Sequence, residues 1–277
     1  MLKKLLKYDF MSVFKYWWIA ALSSLVLSLG GGWCITVLDS EKELPTAINI
    51  IAVLILILVI ISYVAFILLS EILVYVRFYK NFFTDEGYLT FTLPVKRSQL
   101  LNSKLILSVV TLLSTILICI LNVFVMLSIG FSEYIFSKPF WKEFGELWKM
   151  LTEELSWYLG VYTIEGIILL LLSFVFSALF LFCCITFASI ITKKAKVLCA
   201  IAIYYVANGF FSFVFQIFYM FGLQSMMTWL SKLPDTGGGE KPVIALILLG
   251  LILFFALINV LMYTLQYWMM DRKLNLS

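Results

Sequence analysis

Six long apolar runs, at residues 16–38, 48–70, 105–130, 163–191, 197–222 and 243–269, set the tightest limit on what this chain can fold into. Each is long enough to cross a hydrocarbon core of ~30 Å as a helix, which takes ~20 residues at ~1.5 Å rise. The runs are continuous rather than alternating, so they read as helices and not as barrel strands. In lipid every backbone amide must be satisfied within the structure, which a helix does by itself. The expected fold class is therefore all-α, a polytopic membrane protein with six transmembrane helices. Composition agrees, because 63% of the residues are hydrophobic and 13% charged, against ~45–50% and ~25% in soluble domains. Little of the 277-residue chain is left over for a soluble domain, so residues 1–277 read as one transmembrane domain.

Lysine and arginine set the orientation. One side holds Lys3, Lys4, Lys7, Lys15, Arg77, Lys80, Lys96, Arg97, Lys104, Lys193, Lys194, Lys196, Arg272 and Lys273, and the other holds Lys42, Lys138, Lys142, Lys149, Lys232 and Lys241. The richer side is cytoplasmic, which puts both termini inside, as an even number of spans requires. The formal charge of +4 is then a topology signal and not a nucleic-acid footprint.

Residues 1–15 carry Leu2, Leu5, Leu6, Phe10, Val13 and Phe14 at helical spacing, with lysines off that face. This predicts an interfacial amphipathic helix on the inner membrane surface, ahead of an uncleaved first span. In the outer connection, residues 131–162, Phe140, Phe144, Leu147, Trp148, Leu151 and Leu155 alternate with lysines and glutamates at three- and four-residue steps. That spacing predicts an outer amphipathic helix. A second outer segment, residues 223–242, carries Met226, Met227, Trp229 and Leu230 and is expected to dip into the membrane edge.

Inventory removes several chemistries. The chain has no histidine, hence none of the usual Ser/His or Cys/His centres and no usual zinc site. It has no G-x-x-x-x-G-K-[ST] loop, so no Walker-type ATP hydrolysis. Cys34, Cys119, Cys183, Cys184 and Cys199 all lie within apolar runs and read as small core residues. Catalytic residues, metal ligands and cofactors are not expected on this chain.

Polar residues within spans are the place to look for a transport path. Asn122, Asn208, Gln216 and Asn259 are the candidates, with Gln266 beside them. Hydrogen bonding between helices is the alternative role for each. Glu71 and Glu165 fall near span boundaries, and no proton-relay or voltage-sensor series is present.

The connection at residues 77–104 is dense in aromatics for a cytoplasmic loop, with Phe78, Tyr79, Phe82, Phe83, Tyr88 and Phe91 between its charges. Two readings are open on physical grounds: a protein-docking surface, or aromatics packed against the inner membrane face. The run Thr84-Asp85-Glu86-Gly87-Tyr88-Leu89, then Thr92-Leu93-Pro94 and residues 98–104, resembles the permease subunits of type-2 ABC transporters from Gram-positive bacteria. The six-span layout with cytoplasmic termini is similar too.

That resemblance implies a bacterial plasma-membrane subunit of an ATP-driven exporter for a hydrophobic or amphipathic substrate, peptide or lipid-like. It implies two copies of a separate ABC ATPase that binds ATP and Mg, and a second permease, identical or paralogous. It also implies a coupling loop in which Tyr79, Phe82, Phe83, Thr84, Asp85, Glu86, Gly87 and Tyr88 meet the ATPase. Phe82, Phe83 and Tyr88 would be apolar anchors, Asp85 and Glu86 charged contacts, and Gly87 the turn. Two other classes stay open. A secondary transporter predicts inverted repeats and paired helix interruptions, whereas no repeat is seen and glycine interruptions such as Gly30–Gly32 occur without a counterpart. A non-transporting assembly or sensor subunit predicts a docking loop without a solvated path.

Overall fold

The computed structural model describes residues 2–40, 45–84, 87, 95–192, 195–230 and 240–272. Among them the chain is helical almost throughout and has no strand. The helices are α1 (Leu2–Asp39), α2 (Thr46–Phe83), α3 (Arg97–Gly130), α4 (Ser132–Ile135), α5 (Lys138–Leu155), α6 (Trp157–Ile191), α7 (Lys196–Leu230) and α8 (Glu240–Arg272). Six of them, α1, α2, α3, α6, α7 and α8, are long and apolar enough to cross a membrane. The protein is an all-α polytopic membrane protein.

Several helices outrun the spans expected for them. At 38 residues, α1 and α2 each rise about 57 Å, far more than the hydrocarbon core needs. No glycine or proline falls between Thr46 and Phe83, so α2 continues past the last apolar residues of its span, and residues 77–83 form its final turns. Residues 97–104 likewise form the start of α3. The connection predicted over residues 77–104 is thus helical at both ends.

The N-terminal segment also differs from expectation. Residues 2–15 are not a separate helix but run unbroken into the first span. The reason lies on one face of α1, where Asp9, Val13, Trp17, Ala21, Ser24, Ser28 and Gly31 form a single buried stripe. Its apolar residues are covered by protein over the whole length. Gly30, Gly31 and Gly32 do not interrupt the helix either.

The chain forms two compact units. In the unit made of residues 1–81 and 102–150, Trp17, Ala21 and Phe66 form a core cluster with Phe14, Leu73 and Ile118 against it. Polar side chains tie these helices together: Trp17 Nε1 donates to Thr115 Oγ1 at 2.9 Å, Asn122 Nδ2 to Ser24 Oγ at 2.8 Å, and Ser28 and Tyr63 share a hydrogen bond of 2.9 Å. Glycines set the spacing. A Cβ on Gly32 would sit 2.7 Å from Ile129 Cβ and 2.8 Å from the Met126 carbonyl oxygen, so α1 and α3 approach as closely as backbones allow.

In the unit made of residues 82–101 and 151–277, α6 packs against both α7 and α8. Phe176 meets Phe211 and Phe255 edge-on. Gln266 Nε2 donates to Thr186 Oγ1 at 2.8 Å, and Asn259 Nδ2 to the Leu172 carbonyl at 3.0 Å. Ser156, just before α6, has φ 46°, a conformation that favours glycine.

Candidate functional site

Arg77, Asn81 and Lys104, at the two ends of the 77–104 segment, meet a residue far from them in sequence. Asp9 of α1 is 2% exposed. Its Oδ2 accepts a hydrogen bond from Lys104 Nζ at 2.6 Å, and its Oδ1 accepts from Arg77 Nε at 3.2 Å and Asn81 Nδ2 at 3.3 Å. Arg77 and Asn81 are one helical turn apart on α2, so they reach the same oxygen from one face. Two cations therefore share one carboxylate in a buried site. Burying such charges is costly, and the attraction offsets that cost only if the carboxylate's lone pairs are well used, as they are here by three donors. The result is a clamp: the last turns of α2 and the first turns of α3, which flank residues 84–96, are both fixed to α1.

The other unit closes the ends of its helices in a related way. Arg97 Nη1 donates to the carbonyls of Met270 and Asp271 at 3.0 and 2.8 Å and to Asp271 Oδ1 at 2.7 Å. A cation on the last carbonyls of α8 complements its dipole. Lys196 Nζ donates to the Phe83 carbonyl at 3.4 Å, at the end of α2.

The residues predicted for ATPase contact divide into inside and outside. Tyr79 is half-buried, Phe82 is 0% exposed, Phe83 is 9% exposed and Thr84 is exposed. The Phe82 and Phe83 rings, with centroids 6.4 Å apart, are thus covered by this chain rather than presented to a partner. Gly87 is buried, and its N–H donates to the Thr84 carbonyl at 2.7 Å. A Cβ there would lie 2.8 Å from the Phe82 carbonyl oxygen, so close backbone approach, rather than a turn alone, asks for glycine. Asp85, Glu86 and Tyr88 lie outside the described residues.

The path candidates divide too. Asn122 and Asn259 are buried and donate across helices, while Asn208 and Gln216 are exposed on α7. Among the described residues, the side-chain carbonyl oxygens of Asn122, Asn259 and Gln266, and Oε2 of the buried Glu165, have no hydrogen-bond partner.

A cavity of about 1110 Å³ opens where α1 ends and α4 begins, lined by Thr36, Asp39, Ser40, Gly130, Phe131, Ser132, Glu133, Tyr134, Ser137 and Pro139. Tyr134 donates from its hydroxyl to Glu143 Oε2 at 3.3 Å. That carboxylate holds the phenol above its usual pKa, first by its charge and then by the hydrogen bond. Among the described residues no cluster of Cys, Asp and Glu side chains is arranged to hold a metal ion.

Asp9 was readable in part. It falls in the middle of the apolar face of residues 2–14, between Leu5 and Leu6 on one side and Val13 on the other. A lone carboxylate there requires a cation, but sequence spacing does not say which one.

Fold and site define the class, a multi-pass helical membrane protein with a buried charge clamp. No protein-family model, curated protein or solved structure matches this chain.

Proposed function

We propose that this chain is the membrane subunit of an ABC-type exporter, working with a second permease and two copies of a separate ATPase in the bacterial plasma membrane. The observation that carries the reading is the Asp9 clamp, because it fixes both flanks of residues 84–96 to α1. A loose connection between spans has no need of such mounting. A segment that must transmit force does. The likeness of residues 84–104 to type-2 permeases and the bias of lysine and arginine toward one face support the same reading, with both termini cytoplasmic.

In this reading ATP and Mg act on the partner subunits, and closure of the ATPases moves residues 84–96. The clamp passes that displacement to α1, α2 and α3, which tilt as a block and open a passage for a hydrophobic or amphipathic cargo. ATP drives the change only through its different affinity for the two states. Phe82 and Phe83, being buried, brace the end of α2 from within. Contact with the ATPase then falls to Thr84, Asp85, Glu86 and Tyr88.

Purification tests this directly. The tagged chain, extracted in mild detergent from its native host, brings down a phosphate-loop ATPase in equal copy number, and the complex hydrolyses ATP while the separated chain does not. ATP turnover by the separated chain, or a complete membrane complex without any ATPase, would overturn the proposal.

A further inference from the structure

The cavity at the end of α1 is lined by acceptors and has no cation of its own. Every residue that lines it belongs to the unit made of residues 1–81 and 102–150, so it is a feature of that unit alone. Asp39 lies about 45 Å along α1 from Asp9 at the helical rise, a length that matches a bilayer with its headgroups. The cavity therefore opens at the membrane surface opposite the clamp, which the lysine bias makes the outer one.

Its electrostatics have a single sign. α1 ends at Asp39 and α3 at Gly130, so two helix C-termini, each a centre of partial negative charge, border the same space. Neither last turn carries a basic residue, and Asp39 puts a carboxylate where the dipole of α1 opposes it. Glu133 adds a second. Among the described residues neither carboxylate has an ion pair or a hydrogen bond, and no lysine or arginine lines the cavity. The hydroxyl groups do not change this balance. Thr36, Ser40 and Ser137 donate to nearby carbonyls, and Tyr134 donates to Glu143. Those protons are committed, and only lone pairs remain for a guest. The exposed rings of Phe131 and Tyr134 complete the lining, and a ring face attracts a cation within ~6 Å.

Carboxylates, helix C-termini, hydroxyl lone pairs and ring faces all favour a positively charged N–H donor. We propose that this cavity binds a short cationic peptide from outside the cell, with basic side chains on Asp39 and Glu133 and an apolar residue against Phe131 and Tyr134. Size supports a peptide, since about 1110 Å³ lies at the top of the ~300–1,000 Å³ typical of small-molecule pockets. A bare metal ion does not fit, because among the described residues the acidic groups are not clustered to hold one. The inference goes beyond the exporter reading and needs neither the ATPase nor a direction of transport.

Peptide binding to the purified full chain in phosphatidylcholine nanodiscs tests it. The probe is the acetylated, amidated tetrapeptide Lys-Phe-Leu-Lys with a neutral fluorophore, followed by anisotropy. Saturable binding is expected. Gln-Phe-Leu-Gln, which lacks the charges, and Lys-Gly-Gly-Lys, which lacks the apolar side chains, should each bind at least tenfold more weakly. The double variant Asp39→Asn, Glu133→Gln should also lose at least tenfold, about 1.4 kcal/mol, while melting as wild type does, because both side chains are exposed. Ser132→Trp, which fills the cavity and keeps both charges, should lose binding as well. Glu153→Gln, an exposed acid outside the cavity, should bind normally. Absence of saturable binding overturns the proposal, as does equal binding of either control peptide. Unchanged affinity in the double variant or in Ser132→Trp overturns it too, and an equal loss in Glu153→Gln would show diffuse surface charge in place of a site. Loss of binding in discs containing phosphatidylethanolamine would assign the cavity to a lipid amine and overturn the peptide. Should the double variant fail to fold, the comparison of peptides on the wild-type chain decides. None of these results bears on ATPase co-purification, so failure here leaves the exporter reading standing.

Discussion

Lys104 Nζ lies 2.6 Å from Asp9 Oδ2, with each side chain 3% exposed. Little water is available to either charge, so their attraction is only weakly screened. Asp9→Asn removes the negative charge that Lys104 and Arg77 share and should destabilise the protein by about 3–5 kcal/mol. Asp9→Asn combined with Lys104→Met should recover part of that loss, because the more deeply buried of the two cations goes with the carboxylate while Arg77 stays. Thermal unfolding in detergent would read both. Equal melting of Asp9→Asn and wild type would mean that the pair carries no net stabilisation.

Which parts of this arrangement could be read from the chain follows from what each part depends on. The six spans depend on local hydropathy and length, and they lie where the apolar runs place them. Helix ends depend on what stops a helix. Residues 77–83 are polar and aromatic, which marks them as outside the lipid, yet nothing in them breaks a helix and α2 continues to Phe83. The apolar face of residues 2–14 was legible as a face, but its partner was not. The same leucines and phenylalanines suit a membrane surface or a protein neighbour, and only the tertiary fold chooses. Asp9 meets its cations across 68 and 95 residues of sequence, a pairing that no local spacing encodes. The burial of Phe82 and Phe83 was not legible for a similar reason, since aromatic density marks a packed surface without saying who packs on it.

Glycine substitutions separate close packing from helix flexibility. Gly32→Ala drives a Cβ to within 2.7 Å of Ile129 Cβ and 2.8 Å of the Met126 carbonyl oxygen. The α1 and α3 backbones must part, which should cost about 1–3 kcal/mol. Gly30→Ala meets nothing within 4 Å, and alanine is the better helix former by about 1 kcal/mol. Melting temperatures should therefore fall for the first and hold or rise for the second. A similar fall in both would point to glycine flexibility as the important property.

Orientation is open to chemical labelling. With native cysteines removed, Glu153→Cys in α5 should react with an impermeant thiol reagent in intact cells. Lys96→Cys, at the start of α3, should react only after permeabilisation. Labelling of Lys96→Cys in intact cells would invert the assignment of cytoplasmic termini.

Alkaline titration reports on Tyr134. The Glu143 carboxylate raises the phenol above its usual range by its charge and its hydrogen bond, and an ordinary tyrosine ionises near pH ~10. The neutral phenol donates the bond, so the contact is fully present below the unfolded pKa and is lost as pH rises through the elevated folded one. The ultraviolet difference between wild type and Tyr134→Phe should show this tyrosine ionising later than the ordinary value. Glu143→Gln should bring it down. An unchanged midpoint in Glu143→Gln would show that the carboxylate does not govern the phenol.

The segment between α2 and α3 can be separated into what holds it and what it contacts. Phe82 is fully buried, so Phe82→Ala should open a cavity and cost about 3–5 kcal/mol of stability. Any loss of ATPase binding would then accompany a lower melting temperature. Glu86→Lys is of a different kind. Its assigned role is a charged contact with the ATPase, where reversal should weaken association or coupling through charge while melting of the isolated membrane subunit stays near wild type. The two variants therefore exchange signatures, one losing stability first and the other losing ATP turnover at normal stability. Expression, melting, ATPase co-purification and cargo-stimulated turnover would be measured together for each. If Glu86→Lys binds and stimulates the ATPase as wild type does, the charged coupling contact does not exist. If Phe82→Ala loses the ATPase without losing stability, then Phe82 leaves its buried position to meet the partner, and the bracing role assigned to it is wrong.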